Sequence, residues 1–269
     1  YLKRAKELNH TSLSVVEHGY CPMTSILEAY SICKKNNMKL LIGAEAYFVN
    51  DRFKKDSLNY HIVLMALNEK GRKQLNLAIS EANMTGFYHK ARLDRELISK
   101  LDKENFIVTT ACVAGVGNDE EIIQFLHKKF EENLFLEIQS HNHPTQVEYN
   151  KKMLYLHNKY NIELIHGCDT HYITEQDRFN RNIFLKGKKM NYGDEDSFEI
   201  DYPSYEEILE RYKIQGVIDE NLVKIALENT TIIEDETEEF IFKDDIKMPT
   251  LFPNKTHGQK IRKLKSIIN

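Results

Sequence analysis

The chain has little of what would assign it at once. Its four cysteines (Cys21, Cys33, Cys112, Cys168) contain no C-x-x-C pair, and in a chain this long they read as reduced thiols of a cytosolic protein. No apolar run approaches the roughly 18 residues that span a bilayer, and no secretory segment is present, so no membrane partner is expected. Positive charge is not in excess: 37 Lys and Arg stand against 41 Asp and Glu, a net charge of -4. A global cationic field that would draw the chain to nucleic acid is therefore absent. There is no glycine-rich phosphate loop, no internal repeat and no low-complexity segment.

What is present fits a soluble globular protein. At 269 residues, with 41% hydrophobic and 29% charged residues, the chain suits one large domain, or a domain plus a fragment, with a sizeable core. It opens at Tyr1 inside a helix-like pattern, which reads as the interior of a longer polypeptide. Short apolar strands are expected at 13–16, 39–49, 62–67, 106–110, 134–138 and 162–165. Helices are expected at 23–36, 69–84, 93–101, 120–130, 144–160, 175–185, 205–211 and 221–233. Continuous apolar strands alternating with amphipathic helices predict an α/β fold of parallel strands under outer helices. In such folds ligands gather at the carboxyl ends of strands.

Ionisable residues fall at those ends. Asp169-Thr170-His171 follows the last strand, and a carboxylate and an imidazole two residues apart share one face of an extended backbone. That pairing suits a divalent metal. His18, Glu45, Cys112 and His141 close other strands, whereas His61 opens its own. Each also has a plain structural reading. His18 beside Gly19 reads as a helix cap, His61 as a surface histidine, and Cys112 as a small core residue. Glu45 resists such a reading, because a carboxylate inside an apolar strand needs a partner. Cys21, Cys33 and Cys168 are assigned to the core, with Cys168 facing away from Asp169. The basic residues Arg178, Arg181, Lys186, Lys188 and Lys189 read as a solvated face, and the acidic run 234–239 with Asp244 and Asp245 as a connector.

In order, these residues match a family. Glu17-His18-Gly19, the 41–45 segment ending in Glu45, Tyr60-His61-Ile62-Val63-Leu64, the 109–115 segment around Cys112, and Asp169-Thr170-His171-Tyr172 resemble successive motifs of the PHP domain. The relevant branch is the PHP domain of bacterial DNA polymerase III alpha subunits. Gly86–Asp94 and Met248–Pro253 resemble stretches that separate this branch from free-standing PHP phosphoesterases. The resemblance runs from Leu2 to about Pro253. It implies a distorted (β/α)7 barrel whose first strand precedes Tyr1, with a PHP domain at 1–253 and the start of a linker or palm at 254–269.

The resemblance implies nine metal-binding positions. Six are matched here: His18, Glu45, His61, Cys112, Asp169 and His171. The other three, an H-x-H and an Asp, would precede Tyr1. His141 and His143 lie beside the site by spacing but are not family ligands, and Glu17 stands where the family has Asp. Such donors can hold divalent ions that lower a bound water's pKa and neutralise a phosphodiester's developing charge, and the resemblance implies Zn, Mn or Mg serving a 3′→5′ exonuclease or phosphoesterase. DNA and other polymerase III holoenzyme subunits are the implied partners, and the paired catalytic aspartates of the palm are not in these residues. The alternatives are a non-catalytic domain bracing the polymerase and a stand-alone PHP phosphoesterase.

Overall fold

The computed structural model describes residues 1–19, 24–190, 197–242 and 256–268. Cys21, Asp244, Asp245 and the 248–253 stretch lie outside the described residues. Among the described residues seven strands form one curled sheet: β1 (Ser12–His18), β2 (Lys39–Phe48), β3 (Tyr60–Ala66), β4 (Arg92–Leu93), β5 (Phe106–Thr109), β6 (Leu134–Ile138) and β7 (Leu164–His166). Their order is β1-β2-β3-β5-β6-β7, with the short β4 attached to β2. Among the described residues eleven α-helices accompany them: α1 (Leu2–Glu7), α2 (Ile26–Lys35), α3 (Glu69–Thr85), α4 (Arg95–Ser99), α5 (Glu120–Phe130), α6 (Pro144–Tyr160), α7 (Glu175–Lys188), α8 (Tyr205–Gln215), α9 (Glu220–Glu228), α10 (Thr230–Glu236) and α11 (His257–Ile268).

The α/β alternation expected from the sequence is there, with an unexpected short strand, β4, where a helix is expected to start at Leu93, and with two further departures. The helix expected over 221–233 is interrupted at Asn229, which caps α9 and whose side chain donates to the Leu164 carbonyl. The second matters for function. β1–β2, β5–β6 and β6–β7 are parallel, but β3 runs antiparallel to both β2 and β5. Residues 49–59 join β2 to β3 without a helix, and so short a link favours an antiparallel neighbour over a parallel crossover. Continuous apolar strands look alike in either direction, so composition alone does not show the reversal.

Side chains alternate across the sheet. One face carries Leu40, Ile42, Ala44, Leu64, Val108, Leu136 and Leu164 into the main core beneath the helices. The concave face changes character along its length. At one end Leu41, Met65, Leu67, Ile107, Phe135 and Ile165 form a separate buried cluster, packed by Ile232 and Ile233 of α10. Further along the strands the same face carries Glu45, His61, Thr109 and Glu137. The apolar end closes the barrel-like curl, and the polar end is where candidate chemistry collects.

Candidate metal centre

Register builds the polar end. His18 is the direct partner of Glu45 across β1 and β2. His61 faces Tyr47 across β2 and β3, two residues from Glu45 and therefore on the same face. Because β3 is reversed, its first residues lie beside the carboxyl ends of the parallel strands. The one candidate that opens a strand thus joins those that close theirs.

Cys112 arrives from the turn after β5. Ala111, just before it, is in the left-handed region at φ 59°, a conformation that costs a non-glycine residue about 1–2 kcal/mol. Gly115 closes the same turn. A Cβ there would sit 1.8 Å from the Thr110 carbonyl oxygen, so no larger residue fits. The main chain of 114–115 lies against His61, whose N–H donates to the Ala114 carbonyl at 3.0 Å.

Three donor types meet as a result. The His61 Nδ1 lies 2.6 Å from Glu45 Oε1. The Cys112 Sγ lies 3.3 Å from His61 Nδ1 and 3.8 Å from Glu45 Oε1. All three ligand atoms fall within 4.8 Å of one another. His18 flanks them, with Nδ1 3.8 Å from Glu45 Oε2 and 3.1 Å from the Tyr47 hydroxyl. Asp169 and His171 are engaged with each other instead, Oδ1 to Nε2 at 3.1 Å. Asp169 has φ 48°, so both approaches to the site, at residues 111 and 169, pass through left-handed backbone.

Electrostatics tie these groups together. Burial, then the Asp169 and Glu45 carboxylates, push the Cys112 thiol well above its ordinary pKa. Burial pulls His18 down, against the attraction of Glu45 and Asp169. Burial alone would raise the Asp169 carboxyl, but the His171 hydrogen bond and the rings of His171, His141 and His18 outweigh it and hold it low. The metal-free cluster therefore keeps a buried thiol protonated and buried rings near carboxylates. A divalent cation favours the thiolate instead, together with the neutral imidazole that burial already favours at His18. Carboxylate, imidazole and sulfur within one cation's reach are a donor set that fits such an ion.

Glu137 was not singled out by sequence, yet it is buried on the same face. Thr109 Oγ1 and the Gln139 amide donate to its carboxylate. Burial pushes its carboxyl up to about 7, with Asp169 and Glu45 adding to the rise. The signal that marked Glu45, a carboxylate within an apolar strand, was equally available in Leu134–Ile138. Gly167 makes room for it, since a Cβ there would come within 2.1 Å of Glu137 Oε1.

The remaining candidates take structural places. The His141 Nδ1 lies 2.8 Å from the Glu199 carbonyl and its Nε2 3.0 Å from Gln139 Oε1, so both ring nitrogens are already engaged. His143 caps α6 and receives the Thr145 N–H. The Cys168 Sγ lies 3.3 Å from His166 Nε2 and packs against the main core. Cys33 is buried in that core. The Glu17 carboxylate accepts the Ser25 N–H at the start of α2.

A model of the PHP domain family matches residues 1–141, more than half of the 269. The chain belongs to the PHP domain family. This PHP domain is 31% identical over 205 residues to DNA polymerase III subunit alpha of Aquifex aeolicus, covering 68% of this chain and 17% of that protein. It is 28% identical to the Borreliella burgdorferi subunit over 89% of this chain and 22% of that protein, so it is homologous to these polymerase subunits. It spans about a fifth of the length of the curated relatives it matches. A solved structure from Bifidobacterium adolescentis, provisionally described as a metal-dependent phosphoesterase, superposes on 62% of this chain with 10% identity and a TM-score of 0.38. That fit covers 79% of the solved chain and is too loose to inform the site. No described helix is long and apolar enough to cross a membrane.

Proposed function

We propose that this PHP domain is part of a replicative DNA polymerase III alpha subunit and holds a divalent-metal phosphodiesterase centre that trims DNA in the 3′→5′ direction. The observation that carries the reading is the meeting of Glu45, His61 and Cys112 donor atoms from β2, β3 and the β5 turn. His18, Asp169 and His171 complete the proposed ligand set, with Zn, Mn or Mg as the ion. Residues 1–253 are proposed as the PHP portion and 254–269 as the start of the connection onward. DNA and the other holoenzyme subunits are its proposed partners, and the cytoplasm its proposed location. Polymerisation is assigned to parts of the protein beyond these residues.

A bound divalent ion supplies charge neutralisation at the phosphate and a lowered pKa for attacking water. The chain's own residues do the rest. Glu45 and His61 fix one another by their 2.6 Å contact, so the donors are placed before any ligand arrives. The Tyr47 hydroxyl holds His18 Nδ1, which leaves Nε2 as its ligating atom. Glu137, behind the donors and titrating at about 7, can hold or release a proton at carboxylate oxygens that Thr109 and Gln139 keep in place.

The test is release of nucleotides from the 3′ end of a labelled single strand with Mn²⁺ or Zn²⁺, by the parent and by Glu45→Gln. Metal-dependent release lost in Glu45→Gln supports the reading. No release together with no metal binding by the full-length subunit overturns it in favour of a bracing domain.

A further inference from the structure

Lys90 stands beside the cluster, its ammonium held over the Tyr47 ring, with no carboxylate partner among the described residues. Its Nζ lies 4.0 Å from the centroid of the Tyr47 ring, a cation–π contact worth about 0.5–2 kcal/mol. That ring is the one whose hydroxyl bonds His18 and whose edge meets the His61 ring at 5.3 Å. The side chain is half-buried, and burial lowers its pKa against the pull of Glu45 and Cys112. Among the described residues no carboxylate lies within ion-pair distance of Nζ.

The segment is built to hold Lys90 there. β4 pairs Arg92 with Tyr47 and Leu93 with Phe48. The buried Arg92 guanidinium donates to the carbonyls of Gly86, Lys54, Asp56 and Arg52. Tyr88 N–H donates to the Lys90 carbonyl at 3.0 Å across a tight turn with His89 at φ 59°. A surface lysine needs no such clamp. A cation held beside carboxylates and a thiol, yet paired with none of them, suits a ligand that brings its own negative charge.

We propose that the Lys90 ammonium is the phosphate-binding arm of the site, receiving a non-bridging phosphate oxygen of the terminal nucleotide. The inference rests on the metal-centre reading and names the side chain that would orient the substrate there. A lysine serves here as a point charge rather than a bidentate fork, tolerant of which oxygen is offered.

The test separates the two claims. Mn²⁺ binding is read from the shift in thermal unfolding, and deoxythymidine 5′-monophosphate binding by calorimetry with and without Mn²⁺, for the parent, Lys90→Met and Lys90→Arg. The expected result is an unchanged Mn²⁺ shift, nucleotide affinity lowered at least tenfold in Lys90→Met, and most of it restored in Lys90→Arg. Nucleotide affinity equal in Lys90→Met and the parent overturns the inference and leaves the metal centre standing. If the parent shows no Mn²⁺ shift, the metal reading fails. The metal-free titration then decides for Lys90: nucleotide binding lost in Lys90→Met supports it, and binding absent from or equal in both proteins overturns it.

Discussion

The two ends of the concave sheet face are made by the same strands in the same register and do opposite work. At one end Leu41, Met65, Ile107 and Phe135 exclude water. One step further along each strand, Gly43 leads to Glu45, Val63 to His61, and Phe135 to Glu137. Alternation places both sets with equal precision. The difference is that burial stabilises the first set, whereas in the second it works against thiolate, carboxylate and imidazolium. The apolar end holds the polar end's groups in positions they would not keep by themselves.

The largest effect expected from breaking this contrast is at the apolar end. Phe135→Ala should lower unfolding free energy by roughly 3–5 kcal/mol in denaturant titration, because Phe135 is 4% exposed and α10 packs against its cluster. A loss below about 1 kcal/mol would mean that this end does not brace the sheet.

Glu137 gives the next effect, through pH. Its carboxyl rises from 4.5 to about 7 on folding, a displacement of roughly 3 kcal/mol. The folded state binds the extra proton, so this stability is fully present below about pH 4.5 and is lost as pH rises through about 7. In metal-free protein, the parent should lose stability relative to Glu137→Gln across that window. Parallel pH profiles for the two proteins would contradict the assignment. Gly167→Ala should cost roughly 1–3 kcal/mol, as its Cβ would meet Glu137 Oε1 at 2.1 Å. Thermal unfolding of Gly167→Ala and of the double variant with Glu137→Ala would check it, the second change relieving the first.

How much of this was legible in the sequence varied with the kind of signal. The strand and helix order was readable from periodicity, and Glu45 stood out as a carboxylate within an apolar strand. Glu137 carries the same signal within Leu134–Ile138 but lies in no family motif. His61 was the anomaly, a candidate at the wrong end of its strand. The reversal of β3 explains that misfit, and it depends on a long-range pairing that local composition does not encode. Tyr47 and Lys90 were unreadable as a pair, since their contact depends on β4 docking beside β2.

The smallest stability effect belongs to the donors themselves. In metal-free protein Glu45→Gln should change unfolding free energy by less than about 1 kcal/mol, because it removes a charge from a crowded anionic cluster while keeping a group for His61 to contact. Mn²⁺ is expected to raise the Tm of the parent, and the same variant should abolish that rise. Equal rises in both would remove Glu45 from the ligand set.

The central claim is that the polar end is a metal centre in which Cys112 ligates as thiolate. Absorption spectroscopy of the Co²⁺-loaded protein tests it most directly. The account predicts a near-ultraviolet sulfur-to-metal charge-transfer band in the parent that disappears in Cys112→Ser. A Co²⁺ spectrum without that band, or one that Cys112→Ser leaves unchanged, would contradict it.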